Sequence, residues 1–200
     1  MTLKRRGFIL IALACLCLAG VPAGGGRATA EAQWVREPSL RKIDDGQDAA
    51  VRQRVEYYRR RLPEPFRWAN NFAWARADIR GLRKKEYFAH SRIQDLAGLS
   101  SRAAKKISGI SPAPPRETAR FTTLIVDYEG HLGGPKAVPR WFDTEYKIME
   151  DLAARLPDAS VQGNILLYTD LQPCPSCWGV MQQFLAVYTN LQIEVLYDWP

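Results

Sequence analysis

Apolar positions recur at helical spacing over residues 47–62, where Val51, Val55, Tyr58 and Leu62 line one face before Pro63 and Pro65 end the run. The other face carries Arg52, Arg54, Arg59, Arg60 and Arg61. It reads as a solvated helix face in preference to a nucleic-acid contact. Ahead of this helix, residues 31–45 are polar and turn-prone and read as a flexible lead. Residues 72–79 fit a strand, and 86–90 fit its hairpin partner across a turn holding Gly81, Arg83, Lys84 and Lys85. A weaker helical pattern covers 92–107. Pro112, Pro114 and Pro115 then break the chain, and the β-branched run at 121–128 predicts a strand leading into a loop with Gly133 and Gly134.

The last third is clearer. Residues 143–156 predict a helix with Tyr146, Met149, Leu152, Ala153 and Leu156 on one face. Residues 164–169 form a short, nearly continuous apolar strand, of the kind covered on both faces. A second helix at 174–188 turns Cys177, Met181, Phe184, Leu185 and Tyr188 inward, and 193–197 is another apolar strand. Strand, helix, strand at this length implies a parallel crossover, hence an α/β sheet.

Composition sets the class. The 200 residues are 46% hydrophobic and 24% charged, enough for a real core and incompatible with general disorder. Lys4, Arg5 and Arg6, an apolar stretch at 7–21 and Ala28-Thr29-Ala30 have the layout of a signal peptide cleaved after Ala30. A lipoprotein site at Cys15 or Cys17 ranks below simple cleavage. Export places the chain in the periplasm or outside the cell, with no membrane association after cleavage. The formal charge of +7 falls to +3 once the four basic residues of the signal are set aside. The remainder is polarised: +8 over residues 31–106 and −5 over 107–200. A polyanionic substrate would meet the N-terminal half more readily.

Removal of the signal leaves Cys174 and Cys177 as the remaining cysteines. Pro175 suits a first helical position, so Cys174 falls at a helix start, where free N–H groups and the helix dipole favour thiolate. Cysteines three apart in a first turn can share one metal ion. Asp143 and Glu145 open the preceding helix. Asp143, Cys174 and Cys177 would make three protein ligands with a fourth position for water, the mark of a catalytic zinc, and Glu145 would shuttle protons beside it. Simpler readings exist for each: Asp143 as an N-cap, Glu145 as a first-turn acid, His131 as a rival first ligand, the cysteines as a stabilising disulfide or a thioredoxin-like thiol pair. Only 23 residues follow Cys177, which argues against the thioredoxin-like oxidoreductase, whose motif lies early in its domain.

The Asp143-Thr144-Glu145 and Pro173-Cys174-Pro175-Ser176-Cys177 pair, with the stretch 167–177, resembles the zinc-dependent deaminase superfamily, whose signature is His-x-Glu followed by Pro-Cys-x-x-Cys. Aspartate in place of the histidine is similar to a branch of secreted bacterial toxin deaminases, and residues 71–93 resemble the start of those domains. The resemblance covers roughly residues 68–200, preceded by a basic helical extension at 31–67. It implies a cytidine deaminase-like three-layer sandwich with a mixed sheet of about four to five strands. It also implies hydrolytic deamination of a cytosine-like or adenine-like base, free or in nucleic acid, with Zn2+ held by Asp143, Cys174 and Cys177 and Glu145 as proton carrier. His90, Trp141 and Trp178 are the candidate substrate contacts, with Phe142 beside them, although packing is the default explanation for the aromatic residues and His90 reads first as a hydrogen-bonded structural residue or a pocket wall. A cognate immunity protein is the partner such toxins imply. The chain ends soon after the strand at 193–197, so the last strand of many deaminases is absent or replaced.

Overall fold

The computed structural model describes residues 36–199. The signal segment expected over residues 1–30 and its expected cleavage point lie outside the described residues. Among the described residues, no helix is long and apolar enough to cross a membrane. In chain order the strands are β1 (Ser39–Lys42), β2 (Phe72–Ile79), β3 (Glu86–His90), β4 (Ile125–Val126), β5 (Val138–Pro139), β6 (Gly163–Leu171) and β7 (Leu191–Trp199). The helices are α1 (Ala49–Arg61), α2 (Ser101–Lys106), α3 (Thr144–Ala153) and α4 (Pro175–Val187). Five strands form one mixed sheet in the order β1-β7-β6-β2-β3, while β4 and β5 make a separate ribbon. The β2–β3 hairpin and the β2–β6 pair are antiparallel; β6 and β7, joined through α4, are parallel.

Strand alternation builds three layers. Along β2, Ala73, Ala75, Ala77 and Ile79 enter one core with Ile165, Leu167, Ile193 and Val195, and α3 and α4 cover it with Met149, Leu152, Val180 and Phe184. Phe72 and Trp74 point the other way, into a second core with Phe88, Tyr168 and Leu196 that α1 covers through Val51 and Val55. The small residues of β2 leave room for α3. Every residue of that helix is buried, so the amphipathic pattern read at 143–156 has no solvent face. Its polar side chains are instead tied to surrounding loops: Lys147 Nζ donates to the carbonyls of His90 (2.8 Å) and Ile93 (2.9 Å), and Glu150 Oε1 accepts from the backbone of Arg120 and Phe121. Asp151 accepts from Lys84 and Ser111. A buried charge without such partners would be costly.

Several sequence expectations are revised. The segment at 31–45 is not a flexible lead where it is described: β1 pairs in parallel with β7 at the sheet edge, and Arg41 joins it to Asp48 and Glu194. A strand from before α1 thus occupies the place beyond β7 where a later strand seemed missing. Since α1 covers one sheet face, residues 39–61 belong to the same fold as the remainder. The arginine face of α1 is not simply solvated. Arg52 pairs with Asp198, Arg54 with Glu86, and Arg59 with Asp170, each through two hydrogen bonds, so the helix is held to the sheet through its charges. Their charge is spent internally, which weakens the case for this cluster as a polyanion site. Helix at 92–107 is confined to α2. The strand expected at 121–128 is reduced to β4, because the backbone N–H groups before it go to side chains of α3 and α4: Phe121 to Glu150, Thr122 to Gln183 and Leu124 to Ser176.

Candidate active site

The helices α3 and α4 begin at the same end of the sheet, and both first turns depart from ordinary capping. Asp143 occupies the N-cap position of α3, yet its side chain makes no capping hydrogen bond. Cys174, the N-cap of α4, likewise leaves its own helix uncapped, and Pro175 follows at the first helical position, where no N–H is needed. The Asp143 carboxylate turns instead towards the thiols, with Oδ2 3.2 Å from Cys177 Sγ and 3.6 Å from Cys174 Sγ. The sulfurs are 3.5 Å apart and unbonded, far beyond the ~2.05 Å of a disulfide. The simple N-cap reading of Asp143 is therefore set aside.

This donor set fits zinc. The three ligand atoms lie within 4.8 Å of one another. A tetrahedral ion with Zn–S bonds of about 2.3 Å and a Zn–O bond of about 2.0–2.2 Å separates its ligand atoms by roughly 3.4–3.8 Å, close to the spacing found. Charge supports the same conclusion. Cys177 Sγ is also 3.5 Å from Glu145 Oε2, so two carboxyls and two thiols crowd together. Among the described residues, the cation paired with them is Arg140, 3.9 Å from Asp143 and held by the carbonyls of Val126 and Asp127. Burial pushes the Asp143 carboxyl above its usual range. The hydrogen bond shared with Cys177 holds the Cys174 thiol below its ordinary value, while that bond and burial push Cys177 up. A bound divalent cation would relieve this crowding.

Glu145 is 1% exposed, and burial followed by the nearby Asp143 charge raises its carboxyl above the ordinary value. Both its oxygens accept a hydroxyl: Thr144 donates to Oε2 at 2.8 Å and Thr169 to Oε1 at 2.9 Å. Behind the site, Lys147 is wholly buried, and burial brings its ammonium down to about 7.

A cavity of about 1200 Å³ opens over this group, lined by Asp143, Glu145, Cys174 and Cys177 together with Asn71, Arg92, Tyr128, Phe142, Gln172 and Trp178. Of the candidate substrate contacts, Trp178 lines it. Trp141 packs instead against the α3/α4 core, with Arg116 over its ring. His90 is corrected to a core residue: it is wholly buried, its Nε2 bonds the Ala69 carbonyl at 2.8 Å, and its Nδ1 accepts from Arg92 N at 3.1 Å. Both ring nitrogens are thus occupied by backbone. His131 is not brought to the thiols; it sits on the exposed loop with Asp127 and Glu129. Sequence reading missed Asn71, Thr169 and Arg140. Thr169 carried a signal, since period-two alternation places it on the same face of β6 as Ile165 and Leu167, a polar group aimed into a core.

The model of the toxin-deaminase family, described as the BURPS668_1122 family of deaminases, matches residues 55–199. No curated protein matches the chain, and no solved structure does.

Proposed function

The chain belongs to the toxin-deaminase family, and from that premise we propose that it is a zinc-dependent hydrolase that removes the exocyclic amine of a cytosine-type or adenine-type base, in a nucleotide or a nucleic acid. The observation that carries this reading is the convergence of Asp143, Cys174 and Cys177 beside a buried Glu145. Asp143, Cys174 and Cys177 would hold the ion. A zinc ion there supplies Lewis acidity that brings the pKa of water near 7, so that hydroxide is available at neutral pH. Hydrolysis exchanges the amine nitrogen for the water oxygen and releases ammonia. Glu145 takes a proton from the water and gives it to the ring nitrogen; it then takes the remaining proton from the added hydroxyl and passes it to the amine, which leaves as ammonia while the carbonyl forms. A carboxyl raised by burial suits both directions of transfer. Phe142 and Trp178 on the cavity wall offer flat apolar surface against which a base can stack. Export follows from the residue pattern of 1–30, and the toxin class makes a cognate immunity protein the expected partner.

Glu145→Gln tests the assignment. The substitution keeps the side-chain shape and all three ligands, so the protein should fold and retain its zinc. Ammonia release should fall by at least the ~10²–10⁴-fold that general acid–base catalysis contributes. Sequencing nucleic acid from cells that express the wild type or this variant would show C-to-T or A-to-G changes with the wild type alone. Wild-type turnover in the variant would remove Glu145 from the mechanism.

A further inference from the structure

We propose that Asn71 is a positioning residue that sets the direction of the two hydroxyl hydrogen bonds reaching Glu145, acting through Thr144 and Thr169. This inference rests on the deaminase reading above. The Asn71 amide has two N–H groups, and each is used: Nδ2 donates to Thr144 Oγ1 at 2.8 Å and to Thr169 Oγ1 at 3.0 Å. Its carbonyl oxygen accepts from Leu171 N at 3.2 Å, which fixes which end of the amide faces the threonines. Each threonine hydroxyl has a single proton. With its oxygen already accepting from Asn71, that proton is left for a carboxylate oxygen, Thr144 to Oε2 and Thr169 to Oε1. Thr169 Oγ1 also lies 3.2 Å from Asn71 Oδ1, but the Glu145 carboxylate at 2.9 Å is the nearer and the charged acceptor, so the single Thr169 proton goes to Glu145 and donors and acceptors balance around that arrangement. Both threonines are wholly buried, so water does not compete for these bonds.

The backbone is shaped to deliver this amide. Asn70 adopts φ 63°, a left-handed conformation that asparagine tolerates better than most residues. The turn brings Asn71 between β2 and the end of β6, where Asn71 also exchanges hydrogen bonds with Ser91. Four chain segments thus meet at one residue, the approach to β2, the end of β3, the start of α3 and the end of β6, the last two through its side chain. The clamp aligns the carboxylate before substrate arrives, and such alignment is worth about 10- to 100-fold in rate.

The test compares Asn71→Ala, Thr144→Val and Thr169→Val with the rescuing Thr144→Ser and Thr169→Ser, measuring zinc content, kcat and KM for ammonia release. The expected result is full zinc, kcat lowered about 10- to 100-fold with KM within about twofold, and recovery in the serine variants. Combining Asn71→Ala with Thr169→Val should cost less than the product of the single losses, since both act through Glu145. A raised KM with kcat intact would overturn the proposal in favour of direct substrate contact, as would fully multiplicative losses. Crystal structures of the wild type and Asn71→Ala give a readout independent of turnover: the Glu145 carboxylate should leave its single orientation in the variant, and an unmoved carboxylate would overturn the clamp. A wild type without ammonia release on any nucleobase substrate, combined with a displaced carboxylate in Asn71→Ala, would reject the deaminase reading while sustaining the clamp.

Discussion

Asp143→Ala should yield a folded protein almost free of zinc and without ammonia release. Asp143 makes no capping hydrogen bond, so its removal spares α3 the loss usually attached to an N-cap change, about 0.5–2 kcal/mol. The metal loses one of three protein ligands, and the fall in affinity should exceed the ~10–100-fold typical when only a residue supporting a ligand is changed. Asp143→His is the informative companion. Imidazole is a common zinc ligand, so this variant should keep its ion. Elemental analysis of the two purified variants makes the comparison, and an alanine variant that keeps stoichiometric zinc would remove Asp143 from the ligand set.

Arg59→Ala should be strongly destabilising although it lies outside the apolar core. Arg59 is 7% exposed, its guanidinium meets both oxygens of Asp170, and it also donates to the Arg67 carbonyl at 3.1 Å. Asp170 accepts in addition from Phe72 N and Tyr168 OH. Removing the cation strands a nearly buried carboxylate at the centre of that network, a change that costs about 3–5 kcal/mol. For a domain of this size the melting temperature should drop by roughly 10 °C. Arg59→Met combined with Asp170→Asn should recover much of the loss, because no unpaired charge remains. A melting temperature unchanged by Arg59→Ala would mean that the pair is too wet to matter. Zinc content should be retained, since the ligands come from α3 and α4.

How far this could be read from the chain depends on the range of the interactions. The period-two run of β2, the apolar β6 and β7 and the cysteine turn of α4 are local patterns, and each stands where its residues indicate. The convergence of Asp143 with Cys174 and Cys177 was also legible, because both helix starts carry their chemistry in three to five residues. By contrast β1 is four residues long and includes two cations, and its strand character comes only from pairing with β7, 155 positions away. The arginines of α1 look the same in sequence whether they face water or carboxylates; Asp170, Asp198 and Glu86 decide it, and all three lie far along the chain. Residues 121–124 have strand composition, yet Glu150, Gln183 and Ser176 capture their N–H groups first. The Asn71 clamp was invisible for the same reason, since its side-chain partners Thr144, Thr169 and Leu171 are brought to it by tertiary contact with α3 and β6.

Zinc K-edge X-ray absorption on the purified protein addresses the central claim most directly. The expected spectrum is that of one ion per chain with two sulfur neighbours at about 2.3 Å and lighter neighbours at about 2.0–2.2 Å. A protein that retains no zinc, or a sulfur-free shell such as the exposed Asp127, Glu129 and His131 group would provide, would contradict it.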